Sequence, residues 1–309
     1  MSFRNLLWAN YFSQIPNLGF GLFGGGLASG GTVRSTYTDK YTYATAARVA
    51  GTVLGLGRNN FAACGTSTVG IFGGGYAVGN ANTTYTDKYT FATDACVTGT
   101  VLGDARRGDA AAGNSTKGIF AGGYDTGYSA YTDKYTYSGD TVAAGPVLSY
   151  ATYSLYGSAN STVCIFGGGS NGGNLTTSLK YTLSTDAVSS ATALTTLSNT
   201  GGSTGTTTIA LFGGGLNSAG AISAVTNKYT YSGDTVATGT SLGSVVNANA
   251  AAGNTIQAIF GAGEQDAGIT TPTANSWSYT YSGDAVAAGT ALGLARLALT
   301  AVSSVPGGF

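Results

Sequence analysis

Three sets of residues in this 309-residue chain have types and spacings that could do chemistry. One is rich in glycine: Ile71-Phe72 runs into Gly73-Gly74-Gly75, a stretch whose backbone amides could cradle a phosphate. Another is ionic. Lys40, Lys88, Lys134, Lys180 and Lys228 recur at one repeat position, with Asp39, Asp87 and Asp133 just before three of them, and such a set could ring an anionic ligand. The third is the acidic pair Glu264 and Asp266, which does not repeat and lies in the long loop "EQDAGITTPTANSW". It could bind Ca²⁺ or act as two catalytic carboxylates.

Each of these has a plainer reading in the same residues. The glycines are followed by neither a helical pattern nor Gly-Lys-Ser/Thr, so they serve the backbone rather than a phosphate. The lysines, spaced about one repeat apart, read as a solvated or repeat-bridging position. Asp94, Asp140, Asp186, Asp234 and Asp284 also recur, and turn chemistry accounts for them. Histidine is absent and Glu264 is the only glutamate, so acid–base catalysis starts from a deficit, and Glu264 and Asp266 read as a solvated loop with modest ligand contact. Cys64, Cys96 and Cys164 show no Cys-x-x-Cys spacing; buried free thiols are expected, with no metal and no cofactor.

What must position these residues is a repeat. Leu22-Phe23, Ile71-Phe72, Ile119-Phe120, Ile165-Phe166, Leu211-Phe212 and Ile259-Phe260 all lead into a small-residue triplet, at Phe-to-Phe steps of 49, 48, 46, 46 and 48 residues. That period suits propeller blades. Within Arg106 to Leu148, turn residues at Gly-Asn-Ser-Thr, after Phe120 and at Ser138-Gly139-Asp140 divide the repeat into four short strands. The first is built of small side chains, as in Ala110-Ala111-Ala112, and the third carries bulk, as in Tyr135 to Tyr137. Small residues inside and aromatics between blades fit the wedge of a propeller. The segment Ala295 to Thr300 matches "ARRGDA" and has no second strand after it, whereas "GFGLFGGG" lacks a good first strand. The C-terminal strand is therefore expected to complete the first blade and close the ring.

The order of Arg58 or Arg106, a small-residue strand, hydrophobic-Phe-Gly-Gly, a variable loop and Tyr-x-Tyr resembles the kelch repeat over residues 18 to 303. The usual kelch tryptophan on strand four is replaced by small or branched residues, as in "DTVAAGPVL". The recurring "DKYTY" and "SGDTVAAGT"-like segments are more similar to kelch-like repeats in tail-fibre and other virion proteins of tailed bacteriophages. The expected fold is all-β: a six-bladed kelch-like β-propeller of four-stranded antiparallel blades over residues 18–309. Residues 1–17 are left as an appendage.

Charged residues make up only 8% of the chain and the formal net charge is zero, so nucleic acid is not an expected partner. No apolar run is long enough for a membrane helix, and the N-terminus does not read as a signal peptide, so the resemblance implies a virion protein made in a host cytoplasm. The loops between strands two and three differ in every repeat. They and the four-to-one loops should share a face collecting Arg34, Tyr76, Tyr124, Asp125, Tyr128, Asn171, Glu264, Asp266 and Trp277, a mixture suited to glycans or protein partners. Phe3, Leu6, Leu7, Trp8, Tyr11 and Phe12 crowd the appendage, which is expected to dock on other virion proteins. The expected function is a non-enzymatic tail-fibre, spike or capsid-decoration protein, with host-surface glycan a candidate partner. A secreted lectin-like module and, behind it, a glycan-active enzyme are the alternatives.

Overall fold

The computed structural model describes residues 19–28, 30–265 and 271–305, and every regular element among them is a β-strand. Six four-stranded antiparallel sheets follow one another along the described chain, accompanied by smaller ribbons of two or three strands in the loops. The second sheet shows the pattern. Ala62–Gly65 pairs with Val69–Gly73, which pairs with Thr86–Thr90, which pairs with Ala95–Thr98. This is a blade-type arrangement of the β-propeller kind.

Glycine, asparagine and aspartate set the turns. Asp94, Asp140, Asp186, Asp234 and Asp284, at the hairpin between strands three and four, all have φ between 47° and 55°, a region that short polar side chains enter more readily than most. After each second strand come two residues of positive φ. Alanine is found once at the first of these, Ala262, but the second is always glycine, with φ from 84° to 108°. A Cβ on Gly75 would also stand 2.6 Å from the Phe61 Cβ and 2.9 Å from the Asn59 carbonyl, so backbone conformation and close approach both demand glycine there.

The apolar core is divided among six clusters, each shared by two neighbouring sheets. The repeating phenylalanines explain why. Phe72 lies against Gly24 at the end of the preceding sheet's second strand, Phe120 against Gly73, Phe260 against Gly213, and Phe23 against Gly261. All six repeat phenylalanines are fully buried, each stabilising its seam by roughly 1.5–3 kcal/mol. The glycine ending the strand leaves the space into which the next sheet's ring fits.

The small-residue strands touch one another in order. Ala62–Gly65 contacts Ala110–Gly113, which contacts Tyr156–Ala159; contact passes through Gly202–Gly205 and Ala250–Gly253 to Thr300–Ser303, which contacts Ala62–Gly65 again. Thr300–Ser303 is hydrogen-bonded to Phe20–Gly24, so the C-terminal strand completes the sheet begun near the N-terminus, with Gly21 opposite Ser303.

The recurring lysines bridge sheets. Lys40 reaches Asp94 at 3.2 Å, Lys88 Asp140 at 3.5 Å, Lys134 Asp186 at 2.5 Å, Lys180 Asp234 at 3.9 Å and Lys228 Asp284 at 2.5 Å, each pair joining strand three of one sheet to the hairpin of the next. Asp186 also takes Lys117, and the hydrogen bond from Lys134, seconded by Tyr181 and Lys117, holds its carboxyl down at about 2. These lysines therefore hold carboxylates of this chain rather than facing a common centre.

Candidate functional site

The site is assembled where each four-to-one connection meets the start of the following two-to-three loop. Asn59 bridges to Tyr76, Arg107 to Tyr124, Tyr153 to Ser170 and Asn247 to Glu264 through antiparallel backbone pairs. One position earlier on the connection, alternation turns the side chain inward. Arg106 is fully buried while Arg107 is half-exposed; at the equivalent pair both Arg58 and Asn59 are buried.

The inward arginines are the floor of the site. Arg58 meets Asp87 at 2.8 Å, Arg106 meets Asp133 at 2.8 Å and Arg296 meets Asp39 at 2.5 Å. Each arginine also donates to the carbonyl at a strand-two end: Arg58 to Phe72 at 2.9 Å, Arg106 to Phe120 at 3.2 Å and Arg296 to Gly25 at 3.1 Å. Each aspartate accepts in turn from a backbone amide, of Gly55, Gly103 or Gly293. Burial pushes the Arg296 guanidinium down to about 10, with Asp39 opposing the shift, and it stays charged at neutral pH. Asp39, Asp87 and Asp133 are thus interior, locked residues, not companions of the lysines on an open surface.

Above this floor the outward side chains form a continuous stack. The Arg34 guanidinium lies 4.6 Å from the Tyr76 ring centre, the Arg107 guanidinium lies 4.8 Å from the same ring and 5.0 Å from that of Tyr124, and Tyr124 meets Tyr128 at 5.6 Å and Tyr153 at 6.1 Å, both edge to face. Asparagines fix the arginines: Arg34 donates to Asn59 at 3.2 Å and to Asn80 at 2.9 Å, and Arg107 donates to Asn82 at 3.1 Å. Asn82 itself donates to the carbonyls of Tyr124 and Asp125. The stack runs from the first sheet's loop to the fourth sheet's entry, and Tyr128 at its end is 42% exposed.

The expected residues separate under this geometry. Arg34, Tyr76, Tyr124 and Tyr128 come together, with Asp125 exposed beside them. Asn171 is exposed on the next loop, its backbone N–H donating to the Gly173 carbonyl, and has no described contact with the stack. Glu264 is not in a solvated loop: it is 1% exposed, and its Oε1 accepts from the Asn247 amide nitrogen at 2.7 Å. Its backbone pairs with Asn247 and Pro272. Trp277 is not a loop residue either. It sits inside strand Ser276–Thr280, opposite Phe260 and Ala288, and is 6% exposed, because the strand begins one residue before it and alternation sends it into the core. Asp266 and the docking residues Phe3, Leu6, Leu7, Trp8, Tyr11 and Phe12 lie outside the described residues.

Arg107, Asn82 and Tyr153 also belong to the site, Asn82 within a variable two-to-three loop and Arg107 and Tyr153 on four-to-one connections. For Arg107 the sequence carries a signal, the Arg106-Arg107 doublet on a four-to-one connection, where strand alternation sends one guanidinium in and the other out.

No family model and no curated protein matches the chain in sequence. Among the described residues no helix is long and apolar enough to cross a membrane.

Proposed function

We propose that the six sheets are the blades of one closed propeller and that the protein is a non-enzymatic attachment module, of the virion kind implied by its kelch-like resemblance. Support for closure is the unbroken contact order of the inner strands, together with the shared strand pairing of the two ends of the described chain. The observation that carries the function is the half-exposed stack of Arg34, Tyr76, Arg107, Tyr124 and Tyr128, built on a floor of buried ion pairs. Aromatic rings offer flat area with little ordering cost, and pinned guanidiniums offer directed donors; a surface so prepared suits recognition of a glycan. A scaffold joined at its seams by Phe–Gly packing and Lys–Asp bridges would hold that surface rigid while its loops vary.

The test is binding of the recombinant protein to bacterial envelope polysaccharides, with Tyr124→Ala as the stack variant and a change at exposed Ile256 as a control away from the loops that build the stack. Binding by the parent and by the Ile256 variant, with loss of at least tenfold in Tyr124→Ala, is the expected result. Equal binding by all three, or none by the parent, rejects the attachment reading. Recovery of the native protein from purified phage particles tests the virion setting, and recovery only from a secreted fraction selects the lectin-like alternative.

A further inference from the structure

The placement of charge points beyond attachment in general to the kind of ligand. Thirteen Lys and Arg side chains occur in the chain, and Arg4 lies outside the described residues. Ten of the others hold a carboxylate oxygen of this same chain at 2.5 to 3.9 Å. The two that do not are Arg34 and Arg107. They come from different repeats, yet both guanidiniums lie within 5 Å of the centre of one ring, that of Tyr76. In a chain that otherwise neutralises its described cations, two unneutralised ones on one tyrosine form a local excess of positive charge.

Their hydrogen bonding leaves donors to spare. Arg34 commits Nε and Nη2 to Asn59 and Asn80, and Arg107 commits Nη1 to Asn82; every acceptor is a neutral amide oxygen that orients the guanidinium without cancelling its charge. Nη1 of Arg34 and Nε and Nη2 of Arg107 remain available in side chains that are half-exposed. One carboxylate, Asp125, is exposed beside the stack, so the local excess is about a single positive charge. That suits a ligand with isolated carboxylates better than a densely charged polyanion. The rings of Tyr124 and Tyr128, continuous with the Arg107 guanidinium, add apolar area of the kind that packs on a sugar ring.

We infer that the uncancelled guanidiniums of Arg34 and Arg107 make this face selective for the carboxylates of an acidic glycan, one carrying uronic or sialic acid residues, with Tyr124 and Tyr128 as the platform for a sugar ring. This rests on the attachment reading and names the ligand class for the same face. The guanidinium–carboxylate contact is charge-assisted and should dominate selectivity, while the tyrosines should contribute to acidic and neutral sugars alike.

The experiment compares binding of trigalacturonate and sialyllactose with that of their neutral counterparts, galactotriose and lactose, by calorimetry at low salt. The parent protein is expected to prefer the carboxylated probes by at least tenfold, and Arg34→Gln and Arg107→Gln each to lose most of that preference while retaining the parent's thermal transition. Asp125→Asn is expected to tighten the acidic probes severalfold and leave the neutral ones unchanged. Equal binding of acidic and neutral sugars, with only Tyr124→Ala weakening both, overturns this inference and leaves the attachment reading intact. No binding of any of the four sugars, or equally tight binding of an oligoglutamate peptide, also overturns it; failure on the polysaccharide panel as well would remove the attachment reading with it.

Discussion

The first three sheets and the last three use the same backbone to opposite ends. In the first three, a buried arginine on the four-to-one connection meets an aspartate on strand three: Arg296 with Asp39, Arg58 with Asp87, Arg106 with Asp133. In the fourth sheet those positions hold Thr152 and Leu179, and in the sixth Val246 and Trp277, all buried. The fifth carries Asn227, whose Oδ1 accepts from the Thr195 amide at 2.7 Å, as the aspartates accept from Gly55, Gly103 and Gly293. Cation and anion are thus present together or absent together. Two solutions to one packing problem coexist in one chain: a charged pair that also caps a strand-end carbonyl, and a neutral or apolar pair that fills the space. A buried ion pair and an apolar replacement can be close in net stability, but half of either is costly.

The largest expected effect comes from breaking a pair in half. Arg106→Met leaves Asp133 buried without its cation and should cost about 3–5 kcal/mol in urea unfolding, and Asp133→Leu a similar amount. The double variant Arg106→Val with Asp133→Trp, which writes the sixth sheet's solution into the third, should recover at least half of the summed loss. Additive losses would mean that the two halves of the molecule are not interchangeable solutions. The same changes in the sixth sheet, Val246→Arg alone against Val246→Arg with Trp277→Asp, sharpen the comparison from the other side.

A second contrast lies on the inner strands, where Asp109 and Asn249 occupy equivalent positions three sheets apart and line the same cavity of about 110 Å³. Asp109 is 6% exposed, and neither carboxylate oxygen has a hydrogen-bond partner among the described residues. Burial raises its carboxyl to about 7, against the pull of Arg106. The folded chain therefore binds this proton more tightly than the unfolded chain does, so this group's contribution to stability should be full below about pH 4, fall as pH rises toward 7 and level off above it. The loss is on the order of 2–4 kcal/mol for a shift of about three pH units, and Asp109→Asn should abolish it. Unfolding free energies from pH 4 to 8 that run parallel in parent and variant would show that the group is not held in its neutral form.

How much of this can be read without coordinates follows the period of each signal. The Phe-Gly-Gly repeat and the alanine-rich strands announce four-stranded units because they recur near every 48th residue and answer to local backbone needs, as at Gly75. The matching of Ala295 to Thr300 with "ARRGDA" also points to the partner that Thr300–Ser303 finds in Phe20–Gly24. The interior of the site is less legible. "TDKYT" places Asp and Lys side by side, and only strand alternation separates a buried Asp87 from a half-exposed Lys88. Glu264 and Trp277 look like loop residues because the loop between them is long; their burial is set by Asn247 and Phe260, contacts that no short window contains. Arg107 and Tyr153 enter through connections that vary little in length, where no contrast between repeats draws attention to them.

The smallest expected effect concerns the seam between the sixth and first sheets. Five seams carry a Lys–Asp bridge, but here the equivalent positions are Ser278 and Ala46, and the seam is spanned instead by Ser278 donating to Gln257 Oε1 and by Gln257 donating to the Tyr43 carbonyl, both at 2.8 Å. Ala46 has a φ of 52°, the conformation that the five aspartates adopt, without a polar side chain to ease it. Ala46→Asp alone should therefore stabilise by a few tenths of a kcal/mol through the backbone preference, independently of salt. Adding Ser278→Lys installs the bridge but removes the bond to Gln257, so the pair should couple by only about 0.2–1 kcal/mol, a gain that disappears in 1 M NaCl. A double-mutant cycle at low and high salt separates the two contributions. Coupling that survives high salt would mean that the bridges at the other five seams act through packing of the lysine stem rather than through charge, and Lys88→Met should then leave stability unchanged where Lys88→Ala does not.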